Sequence, residues 1–478
     1  MKKGYMTVYL SLTLTILLSL VLALLHGARV GAVCMETECV ADIAANAVLS
    51  EFNKALFEQF DLLLVDSSYR EFTPSVDNVQ ERLRYYAEGN LSSPLRTAAF
   101  QPRSMTALEA EEVLITEYSV ATDGGYSVLQ RQILEYMKAE PVENLLSELS
   151  GHLATFENAG IGNTNVEDEI AKTKEELSNV ENLTIKNEDG EEEVVELDNP
   201  ADQVWNDSRY GLVDLLMPDG KEVSTATVDL SAYASARTLA KGTGLDESCE
   251  MNAMDPLLIN LYMAEKCGYF GRTYDKSALK YQLEYLIAGK ANDHDNLEAV
   301  AYQLLLWREA SNLAHILSSP AKMAQVEALA ASVAALTLLP WLQPVVKYSI
   351  ILAWSFAESM VDIRALYKGE KVPLIKTDES WHLSIENLAS YKSHLDVTKG
   401  SGHGLAYVDY LKIMVFMKGR DVTIPRLANL MEMDVRKAEG TSLFCLDHCL
   451  DCFTVYLKTR SKFGVGAYAT RTAGYEMY

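Results

Sequence analysis

The chain has few of the patterns that announce a soluble enzyme. It contains no glycine-rich phosphate cradle, no Gly-x-Ser-x-Gly elbow and no His-Glu-x-x-His pair, so phosphoryl transfer, serine hydrolysis and zinc proteolysis have no signature here. Basic residues are scarce: 42 Lys and Arg stand against 67 Asp and Glu, a net charge of −25. A polyphosphate backbone needs basic patches, which excludes nucleic acid as a partner. The same balance disfavours a protein lying along an anionic membrane surface. No internal repeat is present. With 49% hydrophobic and 9% aromatic residues over 478 positions, the composition fits two or three folded domains with sizeable cores.

The most telling absence is of charge near the start. Tyr5 to Leu25 carries none, and at a helical rise of about 1.5 Å per residue that run spans roughly 30 Å, the thickness of a bilayer's hydrocarbon core. Lys2 and Lys3 precede it, while Glu36, Glu38 and Asp42 follow. The positive-inside rule therefore predicts a cytoplasmic stub at 1–4, a transmembrane helix at 5–28 and an extracellular body, single-pass in the cell membrane. A cleaved signal ending at Val30-Gly31-Ala32 is the alternative, but the apolar run exceeds the usual h-region of about 7–15 residues.

Between Arg29 and Asp66 there is no proline, and Gly31 is the only glycine. Apolar positions at Val40, Ile43, Ala47, Leu49, Phe52, Leu56, Phe60 and Leu63 recur at mostly helical steps, which predicts one long helix docked on a body. Runs at 60–66 and 113–120 read as strands, and Ala121 to Gly125 as a turn before a helix through Leu129, Ile133 and Met137. Residues 167–202 hold fourteen acidic side chains against Lys172, Lys174 and Lys186, a net of −11; such a run stays solvated. Asp255 to Leu388 reads as mostly helical, and Ala328 to Val346, uncharged but broken by Pro340 and Pro344, as a buried core helix. Segments around 453–457 and 465–470 flank a polar turn.

The expected fold class is therefore α+β, predominantly helical. It comprises a long N-terminal transmembrane-plus-extracytoplasmic helix, a small α+β unit, a helical bundle and a C-terminal β-hairpin. Residues 29–159 carry the extracytoplasmic helix and the α+β unit, 160–205 an acidic linker or insertion, and 206–478 the helical domain with its C-terminal strands.

Chemistry-bearing constellations are few. Cys445, His448, Cys449 and Cys452 offer thiolate and imidazole ligands, so they are candidates for a metal site or a disulfide. Cys249 and Cys267 are a second candidate disulfide, although seven cysteines leave one over. Glu358 and Asp362 share a helical face, with Arg308 and Arg364 as partners. Two inward carboxylates suit acid–base work, but a structural ion-pair network is the commoner use. His294 and His403 read as isolated loop histidines. No cofactor is implied.

Lys2-Lys3-Gly4-Tyr5 followed by an apolar helix resembles the start of TadE/TadG-like pseudopilins of Flp/Tad pilus systems. In those families a prepilin-type peptidase cuts after the glycine, which here places the processing site between Gly4 and Tyr5. They carry a glutamate early in the helix where this chain has Tyr9, a departure that favours an accessory protein over a filament subunit. Thr7–Leu12, Tyr281–Lys290, Trp307–Leu313, Trp354–Glu358, Val361–Leu366, Gly369–Pro373 and Tyr407–Leu411 resemble a family of uncharacterised Gram-positive membrane proteins related to those pseudopilins. The resemblance implies a membrane-anchored accessory component of a Tad-type pilus or secretion apparatus, working by contact with the membrane and other pilus or secretion-system proteins. A membrane-tethered surface hydrolase and a ligand-binding or adhesive ectodomain are the alternatives.

Overall fold

The computed structural model describes residues 3–92, 106–161, 168, 172, 175, 184–186, 192–194, 211–246, 248–336, 343–396 and 403–475. Its elements in chain order are α1 (Lys3–Leu49), α2 (Lys54–Phe60), β1 (Val65–Asp66), α3 (Val76–Ser92), β2 (Leu108–Val120), α4 (Asp123–Ala139), α5 (Glu143–Ala159), β3 (Thr184–Lys186) and β4 (Glu192–Val194). There follow α6 (Leu212–Leu216), α7 (Asp255–Lys266), α8 (Gln282–Ala288), α9 (Asp293–Ser318), α10 (Pro320–Leu336), α11 (Gln343–Lys368), α12 (Tyr407–Lys418), α13 (Arg420–Lys437), β5 (Cys449–Ser461) and β6 (Gly466–Gly474). The protein is α+β and predominantly helical, as its patterning predicts. The chain divides into two compact units: 1–139 with 231–251 and 431–478, and 140–230 with 252–430.

In the first unit α1 runs unbroken for 47 residues, past Gly27 and Gly31. Its large apolar side chains are exposed on every side near the start, from 82% at Tyr5 to 55% at Leu25. Burial begins further along, on a stripe of Val33, Thr37, Val40, Ala41, Ala44, Ala45 and Val48. The packed face differs from the expected one: Ile43 is 48% exposed, and small alanines let the helix backbone approach the sheet. The helix also ends at Leu49 instead of running on. Asn53 starts α2 afresh, its side chain accepting from the Leu56 N–H at 3.1 Å while its Nδ2 donates to Asp66 at 3.2 Å. The segment read as a strand at 60–66 is thus mostly the end of α2 and a connection, with two residues in β1. Asn53→Ala should lower stability by about 1–2 kcal/mol through loss of the cap, measured by denaturant unfolding of the full chain in detergent.

β5 is the middle strand of an antiparallel sheet, with β2 along one edge and β1 and β6 sharing the other. Phe453, Val455 and Leu457 alternate along β5 and pack into one core with α1, α3, Val113 and Ala469. The two-residue period of an extended chain puts these three on one face. Segment 231–251 is tied to this unit by side chains: Arg237 binds Glu432 and Asp447, while Asp123 accepts the Gly242 N–H. Gly242 has no room for a side chain, since a Cβ there would collide with the Tyr118 carbonyl oxygen.

In the second unit α11 is the central helix, buried at every position from Ser349 to Tyr367. A helix buried all round needs neighbours on all sides; α9, α10, α6 and the 3-10 turns of Ile385–His394 supply them. The 328–346 run is not a single core helix. It comprises the end of α10 and the start of α11, and 337–342 lie outside the described residues. Pro344 falls in the first turn of α11, where a missing N–H is tolerated. The Glu327–Lys347 pair at 2.6 Å joins the two helices. Most of the acidic stretch 160–205 lies outside the described residues; within it β3 and β4 pair antiparallel.

Candidate functional site

A dense polar cluster lies inside the helical unit, between α9 and α11. Spacing of four on α11 points Glu358 and Asp362 the same way, and both are fully buried. Arg308 of α9 meets Asp362 Oδ2 through Nε at 3.1 Å and Nη2 at 2.9 Å. Its Nη1 donates to the Pro373 and Leu374 carbonyls at 2.8 and 3.1 Å. Lys376, from the loop after α11, sits between the carboxylates, with Nζ 2.6 Å from Glu358 Oε1 and 2.6 Å from Asp362 Oδ1. Glu358 also accepts the His382 and Leu383 backbone N–H groups at 2.8 and 2.7 Å. Two cations and two anions therefore close on themselves with no net charge.

Electrostatics follow from this closure. Burial alone would raise the Asp362 carboxyl, but Lys376 and Arg308 outweigh it and hold it below its usual range. His382 is pushed down, first by burial and then by the Lys376 charge. Glu358, Asp362 and His382 bring ligand atoms within 4.8 Å of one another, but the Lys376 ammonium already supplies the central positive charge. Both carboxylates are sealed from solvent, and their oxygens are taken up by Lys376, Arg308 and backbone N–H groups. Gly404 lets the chain close over the loop: a Cβ there would lie 2.5 Å from the Val372 carbonyl carbon. That gives a packing reason for the glycine that follows His403.

Arg364 is not part of the network. It turns to Asp396, with Nε–Oδ1 at 2.7 Å, and donates to the Met217 carbonyl at 2.8 Å. Glu358, Asp362 and Arg364 share α11, but a step of two from Asp362 to Arg364 turns the side chain to another face.

Another buried acid is not marked by any pattern in the sequence. Glu284 of α8 is fully buried, and its Oε1 accepts the Phe270 N–H at 2.9 Å and the Tyr407 hydroxyl at 3.0 Å. Oε2 meets no partner among the described residues. Phe270, Tyr367 and Tyr407 close an aromatic box beside it, with ring centroids 4.8–6.5 Å apart. Burial pushes the Glu284 carboxyl up to about 7. Its only sequence signal is a glutamate set among apolar and aromatic neighbours in Tyr281-Gln282-Leu283-Glu284-Tyr285.

The cysteines do not converge. No disulfide joins the candidate pair Cys249 and Cys267. Cys267 caps the end of α7 with full burial, while Cys249 lies in irregular chain. Cys445, His448, Cys449 and Cys452 are not among the described groups whose ligand atoms cluster. Cys449 and Cys452 lie on β5, where a rise of about 3.3 Å per residue separates them by roughly 10 Å of backbone. Burial raises the Cys445 and Cys449 thiols, opposing the thiolate that metal binding requires. His294 is not a loop residue; it sits in the first turn of α9, beside the Asn292 cap.

In the first unit, α1 is the one described helix long and apolar enough to cross a membrane, with none of its apolar stretch buried by protein. Together these features define a helical α+β protein with a single N-terminal helix compatible with a single-pass membrane anchor. Residues 190–461 match a family of unknown function, DUF5702, and the chain belongs to that family. The match takes in the Arg308–Glu358–Asp362–Lys376 network, Glu284 and β5, whereas α1 precedes it. No curated protein and no solved structure matches the chain.

Proposed function

We propose that this is a single-pass membrane-anchored protein whose body lies outside the cell and acts by protein–protein contact, as a pseudopilin-like accessory component of a Tad-type pilus or secretion apparatus. The observation that carries the reading is α1. Its Tyr5–Leu25 stretch is apolar and exposed all round, whereas its later turns are packed into a folded body. A surface that apolar is stable only in lipid or against other helices of its kind. The anchor thus runs as one unbroken helix into the packed part of the first unit, which favours a scaffold or pseudopilin-like part. The enzymatic alternative loses its best residues, since Glu358 and Asp362 are neutralised by Lys376 and Arg308 inside the core.

The pilus-related part of the reading rests on Lys2-Lys3-Gly4-Tyr5 before that helix, the arrangement a prepilin-type peptidase reads. Mass spectrometry of the protein from cells with an active prepilin peptidase should find an N-terminus at Tyr5. Gly4→Val should leave the chain uncut yet still inserted, because the helix keeps its hydrophobicity. An intact Met1 terminus in the unsubstituted protein would remove the pilin-like claim and leave the anchor standing.

A further inference from the structure

We infer that the turn between β5 and β6 is a second membrane contact, seated in the phospholipid headgroup layer of the bilayer that α1 crosses. The inference rests on the anchor reading and adds to it a fixed attitude of the sheet on the membrane. Arg29 is the first charged residue after the apolar run, and its guanidinium lies 4.0 Å over the ring of Phe463, at the tip of the turn. One step further along α1, Val33 packs with Leu108 and Val465 in a small core of their own. Arg471 of β6 then pairs with Glu38 and Asp42. The hairpin is therefore fastened alongside α1 and cannot swing away from it.

Helical geometry sets its depth. If Tyr5–Leu25 fills the hydrocarbon core, Arg29 lies four residues, about 6 Å, beyond its edge. The headgroup region on each side is about 5–8 Å thick, so the Arg29–Phe463 contact falls inside it. The turn has the chemistry for that layer. Phe463 lies under Arg29 on one face and is 51% exposed. Lys462 is exposed beside it, and although it pairs with Glu109 at 3.1 Å, its long stem can carry the ammonium to a lipid phosphate, as Arg29 can. Aromatic rings and cationic side chains are the usual occupants of this interface. The charges at the turn itself are Arg29 and Lys462 against Glu109, a local balance that favours a phosphate layer.

The turn is rigid enough to hold this position. Ser461 N–H donates to the Val465 carbonyl at 2.7 Å, Lys462 N–H to the Ala107 carbonyl at 3.1 Å, and Phe463 N–H to the Ser461 hydroxyl at 3.2 Å. Gly464 closes the turn at φ +82°, a conformation that suits glycine.

The test uses the full chain in phosphatidylcholine/phosphatidylglycerol vesicles whose acyl chains are brominated either near the glycerol or near the methyl end. Phe463→Trp is read as its emission difference from the unsubstituted protein, and Leu14→Trp, near the middle of the apolar run, is read in the same way. The expected result is stronger quenching of Phe463→Trp by the shallow bromines and of Leu14→Trp by the deep ones. If Leu14→Trp is quenched but Phe463→Trp is open to aqueous iodide, the turn is in water and the inference fails alone. If Phe463→Trp is blue-shifted, unquenched by lipid and shielded from iodide, a protein covers the turn and the inference is equally overturned. An unquenched Leu14→Trp would instead sink the anchor reading itself.

Discussion

Lys376→Met is expected to destabilise the folded body by about 3–5 kcal/mol, the range for breaking a buried ion pair from one side. The substitution leaves Glu358 and Asp362 facing each other with Arg308 as the sole cation of the cluster, all fully buried. The loss is thus the cost of keeping an uncompensated charge buried, not the worth of one salt bridge. Adding Glu358→Gln restores neutrality around the Arg308–Asp362 pair and should recover part of the stability. Denaturant unfolding of the full chain in detergent reads both. A Lys376→Met loss below about 1 kcal/mol would place the network at a hydrated site, where ion pairs are worth little. The pH dependence has a defined sign. Asp362 is held below its usual range, so its contribution is present above the unfolded carboxyl's value, near 4, and fades as the solution is acidified through the folded one.

Glu284→Gln should act in the opposite sense. In the folded protein Glu284 titrates near 7 against an ordinary 4.5, with burial as the leading cause. Between those values the folded state holds a proton that the unfolded state has released, so stability falls as pH rises through that window. Above 7 the folded state carries a buried carboxylate at a cost of roughly 3 kcal/mol. Glutamine keeps the acceptor for Phe270 N–H and Tyr407 while removing the charge. Its amide N–H group lacks an evident partner, which offsets about 1–3 kcal/mol of the gain. The clearer signature is therefore the slope: the difference in unfolding free energy between mutant and unsubstituted protein should grow from pH 5 to pH 8. A constant difference across that range would show that Glu284 is ionised throughout.

Much of this architecture is legible in the sequence, for physical reasons that are local. The uncharged run marks α1, the alternation Phe453, Val455, Leu457 marks β5, and the four-residue step brings Glu358 and Asp362 to one face. Long-range facts are not legible. Nothing in residues 108–120 announces pairing with 449–461, because register is settled by the shared core and not by either strand. The end of α1 was hidden for another reason: helical spacing continues through Leu56 and Phe60, and only the Asn53 cap breaks it. Lys376 escaped notice because it arrives on a loop, with no period to place it. Glu284 escaped because a buried acid in a seven-residue helix resembles a surface one until its neighbours are known. The cysteine spacing misled because ligand spacing presumes turns, and Cys449–Cys452 lie on an extended strand.

In the proposed function, α1 is an anchor that holds the body outside the cell. Protease added to intact protoplasts should destroy the body, from the sheet unit through the Lys376 network, while the α1 fragment stays with membranes washed at alkaline pH. A body protected until the membrane is permeabilised, or a protein released intact by the alkaline wash, would contradict it.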